Sequence, residues 1–116
     1  MSSYVAGMRR RQAVAARRRA ERQCELRRRA EAIACSLVRH FGATRVTLFG
    51  SVARGEATEN SDIDLFVEGI DGPSWLAAQL AAEDLSKDAN VDLVLAANAR
   101  PEIAERAIIE GLVLHD

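Results

Sequence analysis

Between Met8 and His40 the chain has neither proline nor glycine, and alanine, arginine, glutamate and leucine make up most of it. Those residue types cost least in a helix interior. More than a quarter of a 116-residue chain is therefore committed to one unbroken helix, and everything else must fold against it. Only the second half of this run has something to bury. Leu26, Ala30, Ile33, Leu37 and Phe41 recur at intervals of 4, 3, 4 and 4, which places them on one face. The first half offers little beyond Val14. The pattern predicts a docked helix over residues 22–40, a weakly held helical extension before it, and Gly42 as a left-handed cap. It divides the chain into an Arg-rich N-terminal helical extension, residues 1–25, and a domain, residues 26–116.

Beyond the helix the periodicity changes. Ala43–Phe49 (ATRVTLF) is apolar and β-branched with a rough alternation, and reads as a strand. Gly50-Ser51-Val52-Ala53-Arg54-Gly55 is a glycine-bounded turn with room for one turn of helix, and a polar stretch runs from Glu56 to Ser61. Asp62–Val67 (DIDLFV) alternates as a second strand. Pro73 suits the first turn of a helix reaching about Ser86, and Asn90–Ala96 (NVDLVLA) is a third strand. Pro101 opens a last helix to about Glu110. Gly111 caps it, and Leu112–Leu114 can add a short edge strand. This order implies an α/β (α+β) fold, a small mixed sheet with helices packed on it. The stripe Ile103, Ala107, Ile108 and Leu112 is expected in its core.

The net charge of −1 conceals two opposite halves. Residues 1–45 hold twelve Arg against three Glu, +9, and residues 46–116 hold four Arg or Lys against fourteen Asp or Glu, −10. An apolar fraction of 48% with 28% charged residues is that of an ordinary globular domain, not a disordered chain. No apolar run of about 18 residues offers a membrane span, and the N-terminus lacks the apolar core of a secretory signal. Cys24 and Cys35 are separated by about 16 Å of helical rise, too far for a mutual disulfide. Two free thiols suit a reducing, cytoplasmic setting.

The chemistry concentrates in three places. Asp62 and Asp64 are one residue apart on a strand, so they project from the same face. Two carboxylates that close repel each other unless a cation lies between them, and hard oxygen ligands suit Mg²⁺ or Mn²⁺ better than zinc. The plain alternative is an exposed, solubilising strand face. Asp92 is a charge within an otherwise apolar strand, Val91-Asp92-Leu93-Val94-Leu95. If buried it needs a partner, and beside the DIDLFV strand it completes a three-carboxylate cluster; on an edge strand it simply faces solvent. Gly50-Ser51 ends a strand where backbone N–H groups and a hydroxyl can meet an anion. Arg54 and the start of the short helix add positive charge for further phosphate oxygens.

Together, Gly50-Ser51-Val52-Ala53-Arg54-Gly55-Glu56, Ser61-Asp62-Ile63-Asp64-Leu65 and Val91-Asp92-Leu93-Val94 resemble the DNA polymerase beta nucleotidyltransferase superfamily. Within it, the chain is most similar to the minimal nucleotidyltransferases that act as antitoxins beside HEPN-domain toxins. The resemblance covers roughly residues 34–116, including the closing Glu110-Gly111-Leu112-Val113-Leu114, and leaves the Arg-rich start outside. It implies a polymerase-beta-like fold. Asp62 and Asp64 would bind two metal ions, Mg²⁺ or alternatively Mn²⁺, with Asp92 helping to hold the one that activates the acceptor hydroxyl. Gly50 and Ser51, with Arg54, would hold the triphosphate of ATP. The implied reaction carries AMP to a tyrosine hydroxyl of a cognate HEPN toxin, releasing pyrophosphate and neutralising the toxin in a hetero-oligomer. So short a chain leaves no room for an acceptor domain, so the acceptor is expected on another protein. The alternatives are an antitoxin that only occludes its toxin, and a nucleic-acid-binding regulator.

The Arg-rich extension carries its own readings: a solvated helix tied by pairs such as Arg17–Glu21 and Arg27–Glu31, a phosphate-contacting arm for nucleic acid, or a dock for an acidic protein surface. No aromatic residue is interleaved, which argues against base stacking. Met8 offers an alternative start. His40 and His115 have no second ligand at metal spacing, and Trp75 beside Pro73 reads as packing.

Overall fold

The computed structural model describes residues 3–116. Helix α1 (Ser3–Phe41) leads into strand β1 (Arg45–Phe49), the short helix α2 (Gly50–Ala53) and strand β2 (Ile63–Glu68). Helix α3 (Trp75–Ser86), strand β3 (Val91–Leu95), helix α4 (Pro101–Glu110) and strand β4 (Leu112–His115) complete the chain. The expected helix is one continuous element, ended by Gly42 at φ +74°. Its burial begins only at Leu26 and continues through Ala30, Ile33, Ala34 and Leu37.

The four strands lie in the order β3-β2-β1-β4. β1 runs antiparallel to both β2 and β4, while β2 and β3 are parallel, joined across α3. Strand alternation gives the sheet two different faces. On one, Val46, Leu48, Ile63, Leu65, Val67, Val91, Leu93 and Leu95 pack with the α1 stripe and with Ala78 and Ala82 of α3. Each fully buried Leu, Ile or Val there is worth about 1.5–3 kcal/mol. On the other face, Phe49 and Phe66 pack with Ala107 of α4, with Ile103, Ala104 and Val94 partly buried around them. α4 thus shields only part of this second face.

Two details correct the sequence reading. Ile108 is 79% exposed and Leu112 is 36% exposed, so of the proposed α4 stripe only Ala107 is fully in the core, with Ile103 half-buried. The cause is that β4 sits at a sheet edge and α4 presents only one narrow face to Phe49 of β1 and Phe66 of β2. Of the expected arginine–glutamate pairs, Arg27–Glu31 forms at 3.3 Å, but Arg17–Glu21 does not appear among the described residues. Ion pairs instead tie α1 to the end of α3, with Arg29 2.6 Å and Arg22 3.4 Å from Asp88. The free edge of β3 is covered by α3. Gln79 donates to the Val91 carbonyl (2.8 Å) and accepts from the Leu93 N–H (3.2 Å), and the Trp75 indole donates to the Leu93 carbonyl (2.8 Å). These side chains occupy backbone groups that an edge strand would otherwise offer to another chain. No helix among the described residues is long and apolar enough to cross a membrane.

Candidate active site

Ile63, Leu65 and Val67 point into the main core, so Asp64 is forced onto the second face of β2 beside Phe66. Asp62 precedes the first residue of the strand and is exposed, with the period of two putting it on the Asp64 side. The parallel register pairs Asp64 with Asp92 on β3. Parallel partners project to the same side, and the three aspartates therefore share the stretch of the second face that α4 leaves open. Asp92 is exposed: it faces solvent from an edge strand, not buried as the cluster reading expects, yet it still stands beside Asp64. β3 is the edge strand, and its second face meets solvent where its first meets the core.

Asp64 is the most perturbed of the three. Burial first, then the like charges of Asp92 and Asp62, push its carboxyl up to about 6, although Arg106 and Arg54 pull the other way. Among the described residues no three His, Cys, Asp or Glu side chains converge into a ready metal cage. The aspartates share a face and a field but stand apart, as like charges do. Their chemistry nonetheless fits a hard divalent cation: the donors are all carboxylate oxygens, and a cation among them would relieve the repulsion that raises Asp64.

The glycine turn is built against this carboxylate. Phe49 is the register partner of Asp64, so the next residue, Gly50, passes directly over it. Gly50 has φ +77°, and a Cβ there would lie 2.3 Å from Asp64 Oδ2. Both facts require glycine. The Gly50 N–H already holds an anionic oxygen, donating to Glu110 Oε1 at 3.3 Å. Arg54 Nη1 lies 3.4 Å from both Glu110 oxygens and Arg106 Nη2 lies 3.2 Å from Oε1. Desolvation pushes the Glu110 carboxyl up, but the Gly50 N–H, Arg106 and Arg54 outweigh it and hold it below the usual range. The Ser51 hydroxyl donates to Ser61 Oγ at 3.1 Å, joining the turn to the loop that carries Asp62.

Three contributors were absent from the sequence reading. Glu110 and Arg106 carried a visible signal, acid and base four residues apart on one helix, but nothing in the sequence aimed that pair at Gly50. Arg106 also sits over the Phe49 ring, 6.0 Å from its centre. Gln23 had no signal. From α1 it donates to the Val52 carbonyl (2.6 Å) and accepts from the Ala57 N–H (3.0 Å), clamping the loop that follows the glycine turn.

The domain that carries the glycine turn and the three aspartates is matched by a known family. The profile described as "Polymerase beta, Nucleotidyltransferase" matches residues 31–116. The chain belongs to the polymerase beta nucleotidyltransferase family. Over 72 residues this nucleotidyltransferase is 36% identical to the protein adenylyltransferase MntA of Thermococcus cleftensis, covering 60% of this chain and 73% of that protein. Among solved structures it is similar to a protein provisionally assigned as a minimal nucleotidyltransferase, with TM-score 0.63 and 39% identity, covering 78% of this chain and 93% of the other. It is also similar to a chain of a toxin–antitoxin crystallised with AMP-PNP, with TM-score 0.63 and 26% identity, covering 72% and 71%.

Proposed function

We propose that this nucleotidyltransferase is an antitoxin that carries AMP from ATP to a hydroxyl, most simply a tyrosine's, of a cognate HEPN toxin and so neutralises it. The observation that carries the reading is the Gly50 turn. The Gly50 Cα leaves no room for a side chain beside the Asp64 carboxylate, and its N–H already accommodates an anionic oxygen, that of Glu110, within reach of Arg54. The similarity to a protein adenylyltransferase supports a protein acceptor, and the likeness to a toxin–antitoxin bound to AMP-PNP supports a toxin as that protein.

In this reading the triphosphate replaces the Glu110 carboxylate at the Gly50 N–H, with the Ser51 hydroxyl and Arg54 as further donors. Asp62 and Asp64 would hold two Mg²⁺ ions, with Asp92 joining on the acceptor side. Such ions, when bound, neutralise charge on both the attacking and the departing oxygen. Asp92, exposed on the sheet edge, leaves that side open to an acceptor on a second chain. The acceptor oxygen bonds to the α-phosphorus in line with the breaking bond, and pyrophosphate leaves. Positioning and charge neutralisation are the main demands of phosphoryl transfer, and rigid strand residues meet them.

The test is incubation with labelled ATP, Mg²⁺ and the cognate HEPN toxin. The double variant Asp62→Ala with Asp64→Ala is expected to lose AMP transfer to background while keeping its circular dichroism and melting cooperativity. Transfer retained by the double variant overturns the proposal.

A further inference from the structure

The nucleotide site leaves the N-terminal part of α1 without a role. Arg9, Arg10, Arg11, Arg17, Arg18 and Arg19 are all exposed, and no acidic residue precedes Glu21. Among the described residues none of the six lies within 4.0 Å of an acidic partner, while Arg22, Arg27 and Arg29 further along the same helix do. Arg18 and Arg19 stand at the base of the arm, over clefts lined on one side by Glu25, Glu59 and Asp88 and on the other by Glu56. The first fully buried side chain is Leu26. Arg9 precedes it by about 25 Å of helical rise, roughly three Debye lengths at physiological salt. The molecule is accordingly elongated, 62 × 27 × 20 Å. The repulsive field of the acidic half is therefore screened at the tip of the arm.

What such a rod fits is decided by how its charges are distributed. Successive residues step round a helix by about 100°, so the six arginines leave no uncharged face wider than about a quarter-turn. A helix that docks in a protein groove needs an apolar stripe at i, i+3, i+4 and i+7. Here Val14 is 47% exposed and Met8 is 39% exposed, with arginines on either side of each stripe position. Two arms laid side by side would bring like charge against like charge. A single-stranded nucleic acid would call for stacking residues, and there is no Phe, Trp or Tyr between Val5 and His40. The major groove of B-form DNA, about 12 Å wide, admits one α-helix with phosphates on both walls, whereas the deep, narrow groove of duplex RNA does not.

We infer that the arm, residues 5–19, binds duplex DNA by laying its all-round arginine surface in the major groove, with phosphates neutralised on both sides. This is independent of the AMP-transfer reading. Arginines that grip phosphates from both walls, with no fixed base partner, give affinity with little sequence preference.

The experiment is fluorescence anisotropy of the full chain with a labelled duplex of about 20 base pairs, titrated over a salt series. Six phosphate contacts predict a slope of log K against log salt of about −5, and a loss of about 10³-fold between 50 and 200 mM salt. Replacing all six arginines by glutamine is expected to weaken binding at least 100-fold at low salt, with unchanged melting temperature because none of the six is buried. Replacing all six by lysine is expected to keep the slope. Binding by the glutamine variant within about threefold of the parent overturns the inference, as does a slope shallower than about −2. Equal or tighter binding to duplex RNA, or to poly-glutamate of matched charge, also overturns it.

Discussion

Asp64 is the residue where fold and chemistry conflict. Its folded carboxyl titrates at about 6 against an ordinary 3.8. The folded state therefore binds a proton more readily than the unfolded chain between those values, and stability falls as pH rises through the window. Above it, ionised Asp64 is a net cost of folding. In chelator-treated protein, Asp64→Asn is expected to raise the melting temperature at neutral pH by roughly 4–8 °C, the shift for about 1 kcal/mol in a domain of this size. It should also flatten the dependence of stability on pH between about 4 and 6. A melting temperature that still falls with pH across that window in the variant would show that other groups set it. The aspartate pair was legible because a period of two is a local property of a strand. The raised pKa was not, because it depends first on burial by tertiary packing and then on Asp92, which belongs to another strand.

At the level of elements, α1 does more than cover the sheet. Gln23 of α1 accepts from the Ala57 N–H and donates to the Val52 carbonyl, fixing the loop after the glycine turn from a helix more than 25 residues earlier in sequence. Val52 keeps a second partner, the Gly55 N–H at 3.3 Å, so the exposed loss in Gln23→Ala is mainly the Ala57 donor. That variant is expected to cost about 1 kcal/mol. On the proposed function it should also raise the KM for nucleotide with kcat less affected, since the clamp grips Val52, which lies between the proposed triphosphate donors Ser51 and Arg54. Equal KM values in variant and parent would deny the clamp a part in binding. The four strands and the longer α-helices were legible, including the short β4 edge, because each is a run of one pattern bounded by glycine, proline or polar residues. The 3-10 turn Ala96–Asn98 was not, and α1 starts at Ser3, five residues before Met8, where its pattern begins. The burial of α4 was overread: Ile108 follows the stripe in sequence, yet the narrow contact with Phe49 and Phe66 reaches only Ala107 fully.

For the whole molecule, the division of labour along α1 predicts that its start is dispensable for folding. Removing residues 1–20 deletes no buried side chain among the described residues. The melting temperature of the shortened chain is expected to stay within about 2 °C of the parent, and a larger fall measured by calorimetry would mean that the arm packs on the domain. The sequence by itself determined the element order, the mixed sheet, the glycine turn and the aspartate trio, because helical and strand periodicities and the needs of a sharp turn are local. Only the tertiary structure decided that β3 runs parallel to β2 in the register that aligns Asp92 with Asp64. It alone brought Glu110 to the Gly50 N–H. It also decided that Asp92 faces solvent, a consequence of strand order, since a strand's two faces become buried or open only when its neighbours are in place.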